Sequence, residues 1–249
     1  MSTPSADGRT TALPYLTPER KDVPINYRYL TLSHCWGSGP VYTLRSDNLD
    51  SLKLDIPFSE LPQTFQDALE IDSLCIPQDN IHEWAREAER MADYYKNAVL
   101  KIAATAFAPS DTGLFISRAP DVLKPLKDIF WFARVEKAPL NKRAWVVQER
   151  YFSPRILHFG KDQLLWECQK RQASEISPNA LHRTGHRGEV RLSWHRIVEE
   201  YTQASLTYQS DKLISIARMT TRFQWILGDR CIFRLWEGTF LMDLLWYRE

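Results

Sequence analysis

Apolar and polar positions fall into their clearest order between Ile71 and Thr105, IDSLCIPQDNIHEWAREAERMADYYKNAVLKIAAT. Trp84, Ala88, Met91, Tyr95 and Ala98 recur at steps of four and three, the spacing of one helix face. Arg86, Glu89, Arg90, Asp93 and Lys96 take the other side. Asn80, followed three residues later by Glu83, predicts an N-cap with a capping-box partner. Short apolar runs at Ile71–Ile76 and Val99–Thr105 flank the helix and predict strands. Strand, helix, strand in this space is a βαβ unit, with parallel strands and a right-handed crossover. Chemistry in such sheets sits past the carboxyl ends of the strands, which points at Pro77–Asn80 and Ala106–Gly113.

The flanking chain yields shorter elements. Tyr27–Trp36, YRYLTLSHCW, alternates enough for a strand and is stopped by Gly37-Ser38-Gly39-Pro40. A helix from Pro62 to Glu70 puts Phe65, Ala68 and Leu69 on one face, with Pro62 suited to its first turn. It runs directly into the strand at Ile71, where a connection of roughly 2–6 residues is usual. That junction predicts a helix that unravels before Glu70, or an internal deletion between Glu70 and Ile71. Ile116–Leu140 has no assignable period. Arg143–Arg150 predicts a short helix ending near Ser153-Pro154, and Arg155–Gly160 with Gln163–Cys168 predicts a β-hairpin. Residues 170–191 are polar and include a basic loop.

Beyond them the period is helical. Trp194, Ile197, Val198 and Tyr201 follow Ser193 as cap; then come Leu213, Ile216, Ala217, Thr220 and Phe223, and then Leu241, Leu244 and Leu245. No stop signal precedes Glu249, so this region is expected to be incomplete. The pattern as a whole predicts an α/β fold. A polar, disordered tail is expected over 1–26, a domain with a mainly parallel sheet and flanking helices over 27–168, and a helical region over 169–249.

Composition removes several function classes. The 249 residues are 44% apolar, enough for a sizeable core. Against 31 acidic residues stand 32 basic ones, so no general polyanion binder, and no nucleic-acid partner, is expected. Cys35, Cys75, Cys168 and Cys231 are far apart and read as reduced core residues of an intracellular protein. The N-terminal stretch has no apolar core of a secretory signal, and no uncharged apolar run is long enough to span a bilayer.

Candidate chemistry is sparse. His34 and Cys35 are neighbours in a strand and point to opposite faces, which predicts core packing rather than a thiol–imidazole pair. His182 and His186 have an H-x-x-x-H spacing, but Gly185 opposes the necessary helix and no third ligand is near, so no metal site is expected. Gly37-Ser38-Gly39 lacks the third glycine and the helix start of a dinucleotide fingerprint. Arg183, His186, Arg187 and Arg191 have no interleaved aromatics and read as a solvated loop. Asp79, at a strand-to-helix turn, is either a cap or a carboxylate beside the strand's end. Trp145-x-x-x-Glu149 sets an aromatic ring and a carboxylate one helical turn apart. Taken alone, that spacing describes a buried Trp beside a surface Glu paired with Arg150 or Arg155.

Several of these segments together resemble a known family. YLTLSHCWG, LPQTFQDALE, IDSLCIPQD, EWAREAERMADYYKNA, LKIAAT, GLF and RAWVVQERYFSPRILHFGKDQLLWEC occur in that order. Over residues 29–168 the chain closely resembles the fungal heterokaryon incompatibility (HET) domain family, and LTYQSDKLISIA and LWEGTFLMDLLWYR look like the region that commonly follows that domain. The resemblance implies a cytoplasmic fungal protein of non-self recognition, in which the domain triggers programmed cell death by self-association and with a partner incompatibility protein.

The family has been likened to TIR domains, whose sheet is flavodoxin-like. Some of those hydrolyse NAD with a Glu in a W-x-x-x-E helix after a central strand. By that analogy Glu149 is the catalytic carboxylate and Trp145 a wall of the pocket. Ser33 and Trp36 of the YLTLSHCWG motif are expected to bind substrate, and Asp79 is a further catalytic candidate. NAD would be the substrate; no cofactor is implied. Two alternatives are a signalling module that self-associates without catalysis and an inactive, truncated remnant. The remnant reading rests on the missing stretch at Glu70–Ile71, where family members carry a helix end, a turn and a Trp-led strand entry, and on their continuing past LLWYR.

Overall fold

The computed structural model describes residues 28–36, 43–54, 59, 61–67, 76–106, 113–115, 128–182, 190–233 and 235–244. In chain order these form β1 (Leu30–Ser33), α1 (Leu49–Leu54), α2 (Gln63–Asp67), α3 (Ile81–Asn97), β2 (Leu100–Ala103), α4 (Asp128–Trp131) and α5 (Ala144–Phe152). There follow β3 (Arg155–Phe159), β4 (Leu164–Cys168), β5 (Arg171–Ser174), β6 (Ser177–His182), α6 (Val190–Gln203), α7 (Ile214–Leu227), β7 (Cys231–Ile232), β8 (Leu235–Trp236) and α8 (Phe240–Asp243).

Periodicity placed α3 well. The side chain of Asn80 accepts hydrogen bonds from the His82 and Glu83 amides, satisfying donors that the first turn leaves free. The Glu83 side chain meets Arg86 at 3.4 Å. Ala88, Ala92 and Tyr95 are buried, while Arg86, Glu89, Arg90, Asp93 and Lys96 are exposed. The chain leaves α3 through Ala98 in an extended conformation and enters β2.

Six strands form one sheet in the order β1-β2-β3-β4-β5-β6. β1 pairs with β2 and β2 with β3 in parallel, whereas β3–β4, β4–β5 and β5–β6 are antiparallel. The sheet is therefore mixed rather than mainly parallel. Short turns after β3 and after β5 reverse the chain, and a reversal joined by a short turn can only be antiparallel. Gly160 opens the first of these turns: a Cβ there would lie 2.7 Å from the Gln163 carbonyl oxygen. β5 and β6 occupy a stretch read from sequence as polar and assigned to the helical region 169–249, so the sheet continues past residue 168 and helices begin only at α6.

The faces of the sheet differ. On one, Leu32, Ile102, Leu157, Phe159 and Leu164 pack with Leu61 and Phe65 of the α2 region and with Leu114. The other face carries Ser33, Lys101, Ala103, Ile156, His158, Leu165 and Glu167 and is covered by α5, as strand alternation requires. α5 is itself buried on both sides. Val146 packs against Ala103 and Ile156, while Ala144, Val147 and Tyr151 pack with Trp194, Ile197, Ile216, Met219, Phe223 and Trp236 of the C-terminal elements.

Arg150 of α5 lies at the centre of a buried ionic cluster. Its guanidinium bonds Glu136 at 2.7 and 2.8 Å and Glu167 at 2.8 and 3.0 Å, both as bidentate pairs. His158 joins through Nε2 to Glu167 at 3.2 Å and through Nδ1 to the Thr105 hydroxyl at 2.8 Å. Burial pushes the His158 imidazole below its ordinary pKa despite the carboxylate beside it. Glu136 closes a π-helical turn, Phe132–Glu136, in a segment that showed no period in the sequence.

Further boundaries differ from expectation. α6 begins at Val190, so Ser193 lies inside the helix and does not cap it. α7 ends at Gly228, whose φ of +61° is the left-handed conformation of a helix C-cap. Residues 71–75 of the expected strand, the Glu70–Ile71 junction, residues 37–39, the basic residues 183–187, the tail 1–26 and the last residues, 245–249, lie outside the described residues. Cys75 is among them. Ile76 is buried and belongs to no strand. Among the described residues Cys35, Cys168 and Cys231 take part in no disulfide, and no helix is long and apolar enough to cross a membrane.

Candidate functional site

The spacing of Trp145 and Glu149 on α5 brings both to one pocket at the carboxyl end of β1. Glu149 is only 5% exposed. Its Oε2 accepts a hydrogen bond from the Ser33 hydroxyl of β1 and lies 3.6 Å from the Lys101 Nζ of β2. Lys101 is 1% exposed, and its ammonium also sits 5.5 Å from the Tyr95 ring centroid. Burial lowers the Lys101 pKa to about 8 against the pull of the Glu149 charge, so the ammonium is retained at neutral pH.

Aromatic side chains form the walls. The Trp145 ring meets Trp84 of α3 edge-on at 6.0 Å, and its indole N–H donates to Asp211 Oδ2 at 3.3 Å. Trp36 stands at the rim with the Arg143 guanidinium 5.7 Å from its ring centroid, and Arg143 also donates to the His34 carbonyl. Ile76, Met91 and Tyr208 also line the cavity, whose volume is about 90 Å³. Ser33, Trp36, Trp145 and Glu149 are thus gathered in one place.

Asp79 is not among them. It is exposed, and both of its carboxylate oxygens lie 3.0 Å from the Ser46 amide. That amide, chiefly, holds the carboxyl below its usual pKa range. Asp79 fastens the residues before α1 to the start of α3, while Asn80 serves as the cap. Among the described residues no group of three or more His, Cys, Asp and Glu side chains could hold a metal; His182 ends β6.

Several residues in or beside the pocket went unrecognised in the sequence as site residues, among them Lys101, Arg143, Tyr208 and Asp211. Lys101 did leave a sign, a lone charge inside the apolar run LKIAAT. Arg143, Tyr208 and Asp211 left none, since nothing local links residues 208–211 to Trp145.

His34 lines the same pocket from behind, its ring edge-on to Phe65 at 4.7 Å. Burial first, and the Arg143 charge second, hold its pKa down to about 3. Between that value and 6.5 the unfolded chain binds a proton that the folded chain refuses, so stability is lost as pH falls through this window. At pH 4.5 the loss attributable to His34 is about 2–3 kcal/mol. The His34→Phe protein is expected to lose that much less between pH 7 and pH 4.5, measured by urea unfolding at both. Equal losses in the two proteins would remove His34 as a source of the acid sensitivity.

Residues 29–149 match the family model described as Heterokaryon incompatibility protein (HET). No curated protein and no solved structure matches the chain. The matched stretch ends on Glu149 and contains Ser33, Trp36, Lys101 and Trp145, so these residues of the site lie within it. Over residues 29–149 the chain belongs to the heterokaryon incompatibility (HET) domain family.

Proposed function

We propose that this HET domain hydrolyses the bond between nicotinamide and ribose in NAD, in the manner of a TIR-like enzyme, and through that reaction promotes cell death in fungal non-self recognition. The observation that carries the proposal is the buried Glu149 carboxylate, held on one oxygen by Ser33 and Lys101 beneath aromatic walls. When the C1′–N bond breaks, its electron pair leaves with neutral nicotinamide and positive charge develops on the ribose. A fixed carboxylate stabilises that charge and accepts hydrogen bonds from the ribose hydroxyls. Water then adds at C1′, giving ADP-ribose and a proton. The role of Ser33 and Lys101 is to hold Oε2 still, which leaves Oε1 for the sugar. A cavity of about 90 Å³ admits one ring-sized group, so the adenosine end of the dinucleotide remains outside.

A second reading, signalling by self-association with a partner incompatibility protein and without catalysis, draws on the large apolar side chains exposed at Trp225, Phe233 and Leu241. Chromatography of purified full-length chain incubated with NAD separates the two. Nicotinamide and ADP-ribose are expected in equal amounts, more per molecule as the protein is concentrated. No release at any concentration of folded protein overturns the catalytic reading and leaves association, or an inactive remnant, in its place.

A further inference from the structure

We infer that the pocket is completed from outside the HET domain: the segment 207–211 is its outer wall, and Asp211 is the positioning residue that sets the angle of Trp145. The inference takes its ligand, NAD, from the function proposed above, but its geometry stands independently.

Two anchors tie this segment to the base of α5. The Ala144 amide donates to the Ser205 carbonyl at 3.0 Å, and the Ser205 amide returns to the Lys142 carbonyl at 2.6 Å. These bonds bracket Arg143, the residue before the helix that carries Trp145. Farther along, Ser215 Oγ donates to the Asp211 carbonyl at 2.9 Å, and the Tyr201 hydroxyl contacts Ser215 Oγ at 2.7 Å and donates to the Lys212 carbonyl. The short 3-10 turn Gln209–Lys212 is thereby fixed between α6 and α7, and Asp211 is 7% exposed.

Its carboxylate is placed with equal care. Oδ1 accepts from the Ser210 hydroxyl at 3.0 Å, and Oδ2 accepts the Trp145 indole N–H. Trp145 also makes a ring contact with Trp84, which is edge-on. An indole is a large flat surface, and small rotations of it change what the cavity admits. A hydrogen bond to a charged acceptor is enough to select one orientation. Tyr208, 65% exposed, brings a further ring to the cavity rim beside Trp36 and Arg143. Residues from a segment with no part in the family match therefore line the same cavity as Glu149.

The test uses the full chain labelled with ¹⁵N at the indoles of its nine tryptophans, the Trp145 signal being assigned by its loss in Trp145→Phe. Asp211→Ala is expected to shift that signal and speed its exchange with solvent. Asp211→Asn, whose amide oxygen still accepts from the indole, is expected to retain both. The remaining indole signals report whether each variant is folded. On NAD, Asp211→Ala is expected to raise KM about tenfold with kcat within about twofold, and Asp211→Asn to stay near wild type. An unmoved Trp145 signal in Asp211→Ala overturns the inference. So does a moved signal with unchanged KM, in which case NAD hydrolysis itself still stands. If wild-type protein releases no nicotinamide, the function proposed above fails, and the wall is judged on the indole signal alone.

Discussion

Glu149→Gln is expected to reduce nicotinamide release from NAD by a factor on the order of 100 or more, because one preorganised stabilising charge is lost from the transition state. Glutamine keeps the volume and can still accept the Ser33 hydrogen bond, so the pocket retains its shape. What it removes is the charge on which both the sugar cation and Lys101 depend. The Lys101 consequence is bounded: its pKa is already down to about 8, and it falls further without the carboxylate, so deprotonation becomes inexpensive near that pH. Melting curves of both proteins at the assay pH, where the wild-type ammonium is retained, therefore separate lost chemistry from lost stability. Asp79→Asn, at an exposed site away from the cavity, is expected to keep near wild-type turnover. Equal turnover by Glu149→Gln would remove the carboxylate from the mechanism.

The largest effect on stability is expected from Arg150→Met. The side chains of Arg150, Glu136 and Glu167 are 13%, 19% and 2% exposed, so removing the cation leaves two largely buried carboxylates without the charge that balances them, with the Trp131 indole still on Glu136 and His158 still on Glu167. Breaking such a cluster typically costs about 3–5 kcal/mol, a large share of a total of roughly 5–15. For a chain of this size the melting temperature should fall by roughly 10 °C. Arg150→Lys is not expected to rescue it, since one ammonium cannot make two bidentate pairs. Arg196→Gln is the control: Arg196 and Glu200 are 68% and 41% exposed, and such a pair contributes little. Equal melting of Arg150→Met and Arg196→Gln would show that the cluster does not hold α5 to the sheet.

Regular periodicity carried most of what was legible in the sequence. The apolar stripe from Trp84 to Ala98 defined α3 and its buried side, and the alternation on either side of Gly160 defined the β3–β4 hairpin. Trp145 and Glu149 were legible as a pair because four helical residues return to one face. Glu149 was nonetheless misread from spacing alone as a surface residue paired with Arg150 or Arg155. Its partners Ser33 and Lys101 lie on two strands far away in sequence, and only the family resemblance joined Ser33 and Trp36 to it.

What failed did so for identifiable reasons. The stretch 171–182 is too polar to show which side of each strand is buried, although β5 and β6 are held by backbone pairing that needs no apolar pattern. The Phe132–Glu136 turn departs from the α-helical period, so a search at that period passes over it. Asp211 reaches Trp145 across 66 residues, and a single hydrogen bond at that range leaves no periodic trace. Ser193 suits a cap chemically, but α6 had begun before reaching it.

A crystal structure of the full chain carrying Glu149→Gln, grown with NAD, measures most directly whether this cavity is a nicotinamide-ribosyl site. The ribose hydroxyls next to nicotinamide are expected within hydrogen-bonding distance of the residue 149 side chain, with the pyridinium ring among Trp36, Trp84 and Trp145. The adenosine should lie outside the cavity. NAD bound elsewhere, or an unchanged empty cavity at saturating NAD, would contradict the assignment of Glu149 as the catalytic carboxylate.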